Sequence, residues 1–342
     1  MDFDYSRVVS TSDTIGITSR ATERFLLYLY EHESDTKLNM QRHLGLPSSI
    51  MSNLIEHFPD VVTRNPTSLH ISETGKGYAR QLASYRNEKD EEFGRKLPII
   101  ELELQQLEPQ MDKSKRCLDQ VRATPETVRR RIEFLYERGW LEQRSIMLMG
   151  DNDIMSIGLA MTDLPRRVTV FDIDHDLIKF INSVKPSNGL KVECSRYDAR
   201  EPFSERLSGK YDIAVTDPPY TPEGLDLFIR RCIQGINNSN GAVLISFGYS
   251  DRSRERALPL QDILTKRGLL IEEIAPSFNR YFAAQIIGCQ SSLYLCRTTP
   301  KTTSDSFGYN NKKGIYTSKR PWKKSRRDHA PRNHPKVNQY VW

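Results

Sequence analysis

Carboxylates recur in this 342-residue sequence where strands would hand over to helices. Gly150-Asp151-Asn152-Asp153 follows one apolar run, Asp172-Ile173-Asp174 closes the next, Asp198 follows a third and Asp217-Pro218-Pro219-Tyr220 a fourth. Any one of these acids alone is an ordinary surface charge or helix cap. Acids in successive turns after parallel strands converge on one rim, where ligands of open α/β sheets bind. Such a rim recognises hydroxyls and amines. A carboxylate ending the second strand accepts two hydrogen bonds from a ribose, so Asp172 is the better ribose candidate and Asp174 the second. Asp198 is placed to accept from an adenine exocyclic amine. The first turn holds only Gly150 in place of a G-x-G-x-x-G fingerprint, and a pyrophosphate there would meet Asp151 and Asp153. NAD and ATP are therefore poor ligands.

In Asp217-Pro218-Pro219-Tyr220 two prolines fix a rigid turn, holding the carboxylate and the ring in place. The turn resembles the D-P-P-Y of amino-group methyltransferases, in which an acid holds an amine and an aromatic ring stacks on a planar substrate.

The elements that must position these turns follow from periodicity. From Arg144 onward the chain alternates strands (146–149, 167–171, 191–194, 211–216, 242–247, then 269–274 and 292–296) with helical stretches. That order predicts an α/β class with a parallel, doubly wound sheet. The acids after its strands resemble those of the Rossmann-like methyltransferase and aminopropyltransferase type. Thr124-Pro125-Glu126 marks a helix start, with a cap, a first-turn proline and an acid at the positive end. Val128, Ile132, Leu135 and Tyr136 are its expected buried face. Further upstream, helical spacing at 20–31, a shorter helix through 38–44, a helix at 48–58 and a hairpin at 61–71 predict a small winged-helix-like domain. The candidate recognition helix, Ser48–Phe58, has no Lys or Arg. DNA affinity depends on such charges, so packing or dimerisation is the expected role. The domain boundaries read as 1–85 winged-helix-like, 86–116 a charged linker, 117–297 catalytic and 298–342 a basic, solvated tail.

Charge is uneven. The chain carries 50 Lys/Arg and 44 Asp/Glu, a net +6, but residues 301–342 alone hold eleven basic and two acidic side chains. The body is slightly acidic, so nucleic-acid contact is expected only through the tail. No run of eighteen apolar residues is present, which excludes a membrane-spanning helix. The N-terminus lacks a secretory pattern. The five cysteines form no C-x-x-C pair and no Cys/His cluster, the usage of a reducing cytoplasm without a zinc site.

Taken together, Leu118-Asp119-Gln120, Thr124-Pro125-Glu126-Thr127-Val128, Leu148-Met149-Gly150-Asp151-Asn152-Asp153, Phe171-Asp172-Ile173-Asp174 and Thr216-Asp217-Pro218-Pro219-Tyr220-Thr221 resemble the N(4)-bis(aminopropyl)spermidine synthase family, the branched-chain polyamine synthases. The similarity runs over roughly residues 115–297. The family has a G-D-D-D motif in its first turn; here Asn152 takes the third position. The resemblance implies aminopropyl transfer from decarboxylated S-adenosylmethionine, as co-substrate, to the internal nitrogen of spermidine or a related linear polyamine. It implies Asp153 and Asp217 as catalytic candidates and Asp151, Asn152, Tyr220, Asp119 and Gln120 as substrate contacts. Gly150, Asp172, Asp174 and Asp198 would hold the donor. No metal is required, because a sulfonium is already an activated leaving group. The helical N-terminal module suggests a homodimer. Two other functions fit parts of the sequence: an S-adenosylmethionine-dependent N-methyltransferase on nucleic acid using Asp217–Tyr220, and a winged-helix regulator with a nucleoside-binding domain.

Overall fold

The computed structural model describes residues 3–184, 191–201, 203–236, 240–250, 252, 254–305 and 314–317. The chain opens with α1 (Tyr5–Ile15), α2 (Ser19–His32), β1 (Ser34–Asp35), α3 (Lys37–Leu44) and α4 (Ser48–His57), followed by a hairpin of β2 (Val62–Arg64) and β3 (Leu69–Ile71). β3 lies between β1 and β2 in a three-stranded antiparallel sheet. Phe25, Leu26, Leu29, Met40, Met51, Leu54 and Phe58 close a core beneath it.

Residues 86–116 are not a linker. They lie largely within α5 (Glu73–Leu107), a 35-residue helix about 50 Å long. Its first half packs Tyr78, Ala79 and Leu82 into the N-terminal core. Its second half packs Phe93, Leu97, Ile100, Leu104 and Leu107 into the core under the large sheet. Those five sit three or four residues apart, a helical stripe that the surrounding charges conceal in the sequence. Only the stretch after Leu107, with two single 3-10 turns, leads irregularly into α6 (Pro125–Glu137).

The large sheet follows: β4 (Ser145–Met149), α7 (Met155–Thr162), β5 (Arg167–Asp172), α8 (His175–Ser183), β6 (Val192–Arg196), β7 (Ile213–Thr216), α9 (Pro222–Gly235), β8 (Ala242–Phe247), α10 (Leu258–Lys266), β9 (Leu270–Arg280) and β10 (Gln290–Arg297). Strand order is β6-β5-β4-β7-β8-β10-β9. The first five are parallel, but β10 runs antiparallel to both β8 and β9. The sheet is thus mixed, not parallel throughout. The β9–β10 connection, Tyr281–Cys289, is shorter than the dozen or more residues a parallel crossover requires. Side chains alternate between two cores, Ile146 and Leu148 on one face and Met147 and Met149 on the other. Met149 lies level with both Phe171 and Thr216, so the turns after β4, β5 and β7 stand side by side where the winding reverses. No helix among the described residues is long and apolar enough to cross a membrane.

The two units are joined by buried charge. Arg86 on α5 bonds Glu142 at 2.5 Å and lies 3.7 Å from Glu23. Tyr85 donates to the same Glu142, and Tyr5 to Glu23. Arg144 pairs with Asp13 at 2.5 Å. Removing one partner of a buried pair leaves an uncompensated charge, which costs about 3–5 kcal/mol. Arg86→Met is therefore expected to lower the urea unfolding free energy by roughly 3 kcal/mol, and Arg86→Lys to lose less. An unchanged unfolding midpoint in Arg86→Met would show that the joint depends on apolar packing alone.

Candidate active site

Three local structures bring the carboxylates together. After β4, Gly150 takes the left-handed conformation (φ +81°), which a side chain would resist, and so turns the chain sharply over the sheet edge. Its N–H donates to the Phe171 carbonyl at 2.9 Å. After β5, Asp172 accepts N–H bonds from Asp151 at 3.1 Å and Asp174 at 2.8 Å, tying the two turns together. After β7, the prolines deliver Tyr220 against Phe247, with ring centres 4.7 Å apart. Thr221 caps α9 through the Gly224 N–H at 3.0 Å.

A cavity of about 840 Å³ opens at these turns. It is lined by Asp119, Gln120, Gly150, Asp151, Asn152, Asp153, Asp172, Asp217 and Tyr220, nine of the eleven residues singled out in the sequence. Asp174 and Asp198 are not in the lining. Asp174 caps α8 through the Asp176 N–H and is held by Lys115 and by Gln120 at 3.1 Å. Burial opposes its charge, yet Lys115 and Gln120 keep its carboxyl below the usual range. Asp198 is gripped in a fork by Arg200, at 2.8 and 2.5 Å. Both carboxylates thus have structural partners, and the neighbouring Tyr197 and Ala199 line the cavity.

The acids within the cavity are not equivalent. Asp151 is a buried cap, taking the Ser156 hydroxyl at 2.5 Å. Burial drives its carboxyl well above the usual range, and Asp153 and Asp172 add to the effect. Burial likewise pushes Asp172 up to about 6, against the two N–H donors it receives. Asp153 has both oxygens engaged, by the Ala123 N–H at 2.6 Å and by Arg131 at 2.8 Å. Asp217 is the open one: its side chain is 27% exposed, and Oδ2 accepts the Tyr281 hydroxyl at 2.6 Å. Desolvation raises its proton affinity, while Arg131, 3.6 Å away, opposes that rise.

Arg131 and Tyr281 were not among the sequence candidates. Arg131 is buried on the inner face of α6, between Val128 and Ile132. A charge within an apolar stripe was its available signal. Tyr281, just beyond β9, carries none. Arg256 also reaches the lining, from outside the three acidic turns.

The tail too departs from a purely solvated arm, among its described residues. Thr299 and Thr302 bond the Gly268 carbonyl at 2.7 and 2.9 Å. Ile315 is 4% exposed within the core beneath α9. Its carbonyl accepts the Thr221 hydroxyl at 2.7 Å, and Tyr316 and Thr317 line the cavity. Thr317 binds Asp119 through its N–H at 2.7 Å and its hydroxyl at 2.6 Å. The densest basic run, 323–327, lies outside the described residues.

Residues 104–317 match the family model described as the branched-chain polyamine synthase A C-terminal domain. An uncharacterized protein of Methanocaldococcus jannaschii is 29% identical over 325 residues, 90% of this chain and 80% of that one. The N(4)-bis(aminopropyl)spermidine synthase of Thermococcus kodakarensis is 32% identical over 165 residues, 48% of this chain and 47% of its own. The alignment thus spans about half the length of that named relative. Among solved structures, the branched-chain polyamine synthase of Thermus thermophilus shares the fold, with TM-score 0.52 and 19% identity over 86% of this chain and 93% of its own.

The family match ends at Thr317, the residue that fastens the segment Gly314–Thr317, a strap along the cavity wall, to Asp119. Ile315→Ala removes about 2–3 kcal/mol of burial. It should therefore raise the exchange rate of the Thr317 amide by roughly thirtyfold or more, while exchange in β4 stays unchanged. Equal exchange in both proteins would mean that the strap is held by its hydrogen bonds alone. By the extent of the match and the shared architecture, the chain belongs to the family defined by the branched-chain polyamine synthase A C-terminal domain.

Proposed function

We propose that this chain transfers aminopropyl groups from decarboxylated S-adenosylmethionine to the internal nitrogen of spermidine or a related linear polyamine, giving branched products such as N(4)-bis(aminopropyl)spermidine. The observation that carries this reading is the convergence of Asp151, Asp153, Asp172 and Asp217 on one cavity in a chain of this family. Relatives from Thermococcus kodakarensis and Thermus thermophilus bear the name of that activity. The Thermus structure is a complex with N4-aminopropylspermidine and 5'-methylthioadenosine.

The residues divide the work by environment. Asp172, with two fixed N–H donors and a face on the cavity, takes the ribose hydroxyls of the donor, and Gly150 allows close backbone approach beside it. Asp119, Gln120, Asp151 and Asn152 offer oxygens to the distal ammonium groups of the acceptor, and Tyr220 walls the reacting centre. The acceptor nitrogen must lose a proton before it can attack. With a Lys-like pKa of about 10.4, reaching the free base at pH 7 costs roughly 4.6 kcal/mol. Asp217 receives that proton on Oδ1, the oxygen that Tyr281 leaves open. The freed lone pair attacks the carbon beside the sulfonium. The N–C bond forms, the C–S bond breaks, and its electron pair moves to sulfur. The products are an alkylated ammonium and a neutral thioether, 5'-methylthioadenosine. Asp153, saturated by Arg131 and Ala123, holds the wall in place and is not the proton acceptor. The N-terminal unit serves as a winged-helix-like packing module; its α4 lacks the cations that DNA binding requires.

Asp217→Asn keeps the size and loses the base, so turnover should fall at least about tenfold, near 1.4 kcal/mol of barrier. Asp172→Ala should chiefly raise the KM for the donor. Mass spectrometry of products from decarboxylated S-adenosylmethionine plus spermidine tests the reaction itself.

Donor choice tests it at equilibrium. The two donors differ by one carboxylate on the arm that lies beside the first turn. An ammonium there draws Asp151 and Asp217 into their charged forms and pairs with them, whereas a carboxylate keeps them protonated and gains no ion pair. Arg131 is committed to Asp153, which leaves the exposed Arg256 as the cation able to offset this among the described cavity-lining residues. Calorimetric titration should show the decarboxylated donor binding at least about tenfold tighter, roughly 1.4 kcal/mol. Equal or tighter binding of S-adenosylmethionine would overturn aminopropyl transfer in favour of methyl transfer.

A further inference from the structure

Around Asp217 the buried polar side chains form a chain with one direction. Arg131 is a donor at every nitrogen. Its Nε donates to Asn279 Oδ1 at 2.8 Å, which fixes the amide of Asn279 with its NH2 group pointing away. That group, Nδ2, donates to Ser291 Oγ at 2.8 Å. The Ser291 and Tyr281 hydroxyls lie 2.8 Å apart, where either oxygen could donate; because the one hydrogen of Tyr281 goes to Asp217, Ser291 is the donor between them. The Tyr281 hydroxyl then donates to Asp217 Oδ2 at 2.6 Å. Asn279 and Ser291 are buried opposite each other on β9 and β10, where the strand register shifts just past Ser291.

We infer that Asn279 and Ser291 are positioning residues that act on Asp217 through Tyr281, aligning a hydroxyl relay that donates to the carboxylate and leaves its second oxygen to the acceptor nitrogen. The inference rests on the reading of Asp217 as the proton acceptor. Neither Asn279 nor Ser291 lines the cavity, so neither touches substrate. Burial holds the Tyr281 hydroxyl well above its ordinary proton affinity, so it stays a donor across the working pH range. The other charged or titratable groups facing Asp217 are Arg131 from α6, Asp153 from the turn after β4 and Tyr220 on its own turn. Each of them is present whether or not the relay points toward Asp217.

The sign follows from the donor. A hydrogen bond to the ionised form lowers the pKa of a carboxyl group, so loss of the relay raises it. Tyr281→Phe should move the acid limb of the pH profile of kcat/KM upward by about one pH unit, and Ser291→Ala by about half of that. In the Tyr281→Phe background, Ser291→Ala should add nothing, because its path to Asp217 is already cut. The same titration is read without turnover by carboxyl-carbon NMR of Asp217 in the full chain. Ser291→Ala exchanges one small side chain for another, so the fold persists; circular dichroism checks this. An unmoved Asp217 titration in Ser291→Ala, or shifts that simply add in the double variant, would overturn the relay. If the NMR shifts occur as expected but the wild-type chain transfers no aminopropyl group, the relay stands and the reading of the reaction fails.

Discussion

An arginine keeps its proton in a protein interior, so a guanidinium only 3% exposed must be met by fixed partners wherever it lies. Arg131 finds them on three other segments: Asp153 on the turn after β4, Asp217 on the turn after β7, and Asn279 near the end of β9. Withdrawing Asp153, the hydrogen-bonded partner, would leave the charge poorly compensated, at a cost of about 3–5 kcal/mol. The positions of α6, two turns at the cavity rim and the edge hairpin are thus coupled through one side chain. This is why the β9–β10 hairpin, which adds antiparallel strands to an otherwise parallel sheet, belongs to the site: it brings Asn279, Tyr281 and Ser291 within reach of that point.

The same interaction sorts the acids. A rim of carboxylates would repel itself if all were equally charged and exposed. Here Asp153 is neutralised by Arg131, Asp151 caps α7 against Ser156, and Asp172 is satisfied by backbone N–H groups. Asp217 retains an open oxygen on the cavity. The field at the pocket is therefore graded, with paired and capped acids beside one carboxylate, Asp217, that keeps an oxygen open to the cavity.

The remaining walls come from far along the chain. Helix α5 contributes to two cores at once, so the N-terminal unit shares its rigidity with the sheet across Arg86–Glu142 and Arg144–Asp13. From the opposite side the strap Gly314–Thr317 packs Ile315 beneath α9 and fastens to Asp119. Its close approach is possible because Gly224 has no side chain: a Cβ there would stand 2.2 Å from the Ile315 carbonyl oxygen.

Much of this was legible locally. The alternation of apolar runs and turns located the parallel strands, Thr124-Pro125-Glu126 marked the start of α6, and the acids after β4, β5 and β7 pointed to the cavity, because short-range sterics and capping act between neighbours in the chain. The helical stripe of Phe93, Leu97, Ile100, Leu104 and Leu107 was also present, but its dense flanking charge suggested a linker. What the sequence by itself determined is therefore where the carboxylates stand. Which of them is paired, capped or open was decided only by tertiary structure. The partners of Asp153, Asp217 and Asp119 lie 22, 64 and 198 residues away, and no local rule brings Arg131, Tyr281 or Thr317 to them. Charge state depends on burial and on the nearest opposite charge, and both exist only once the chain has packed.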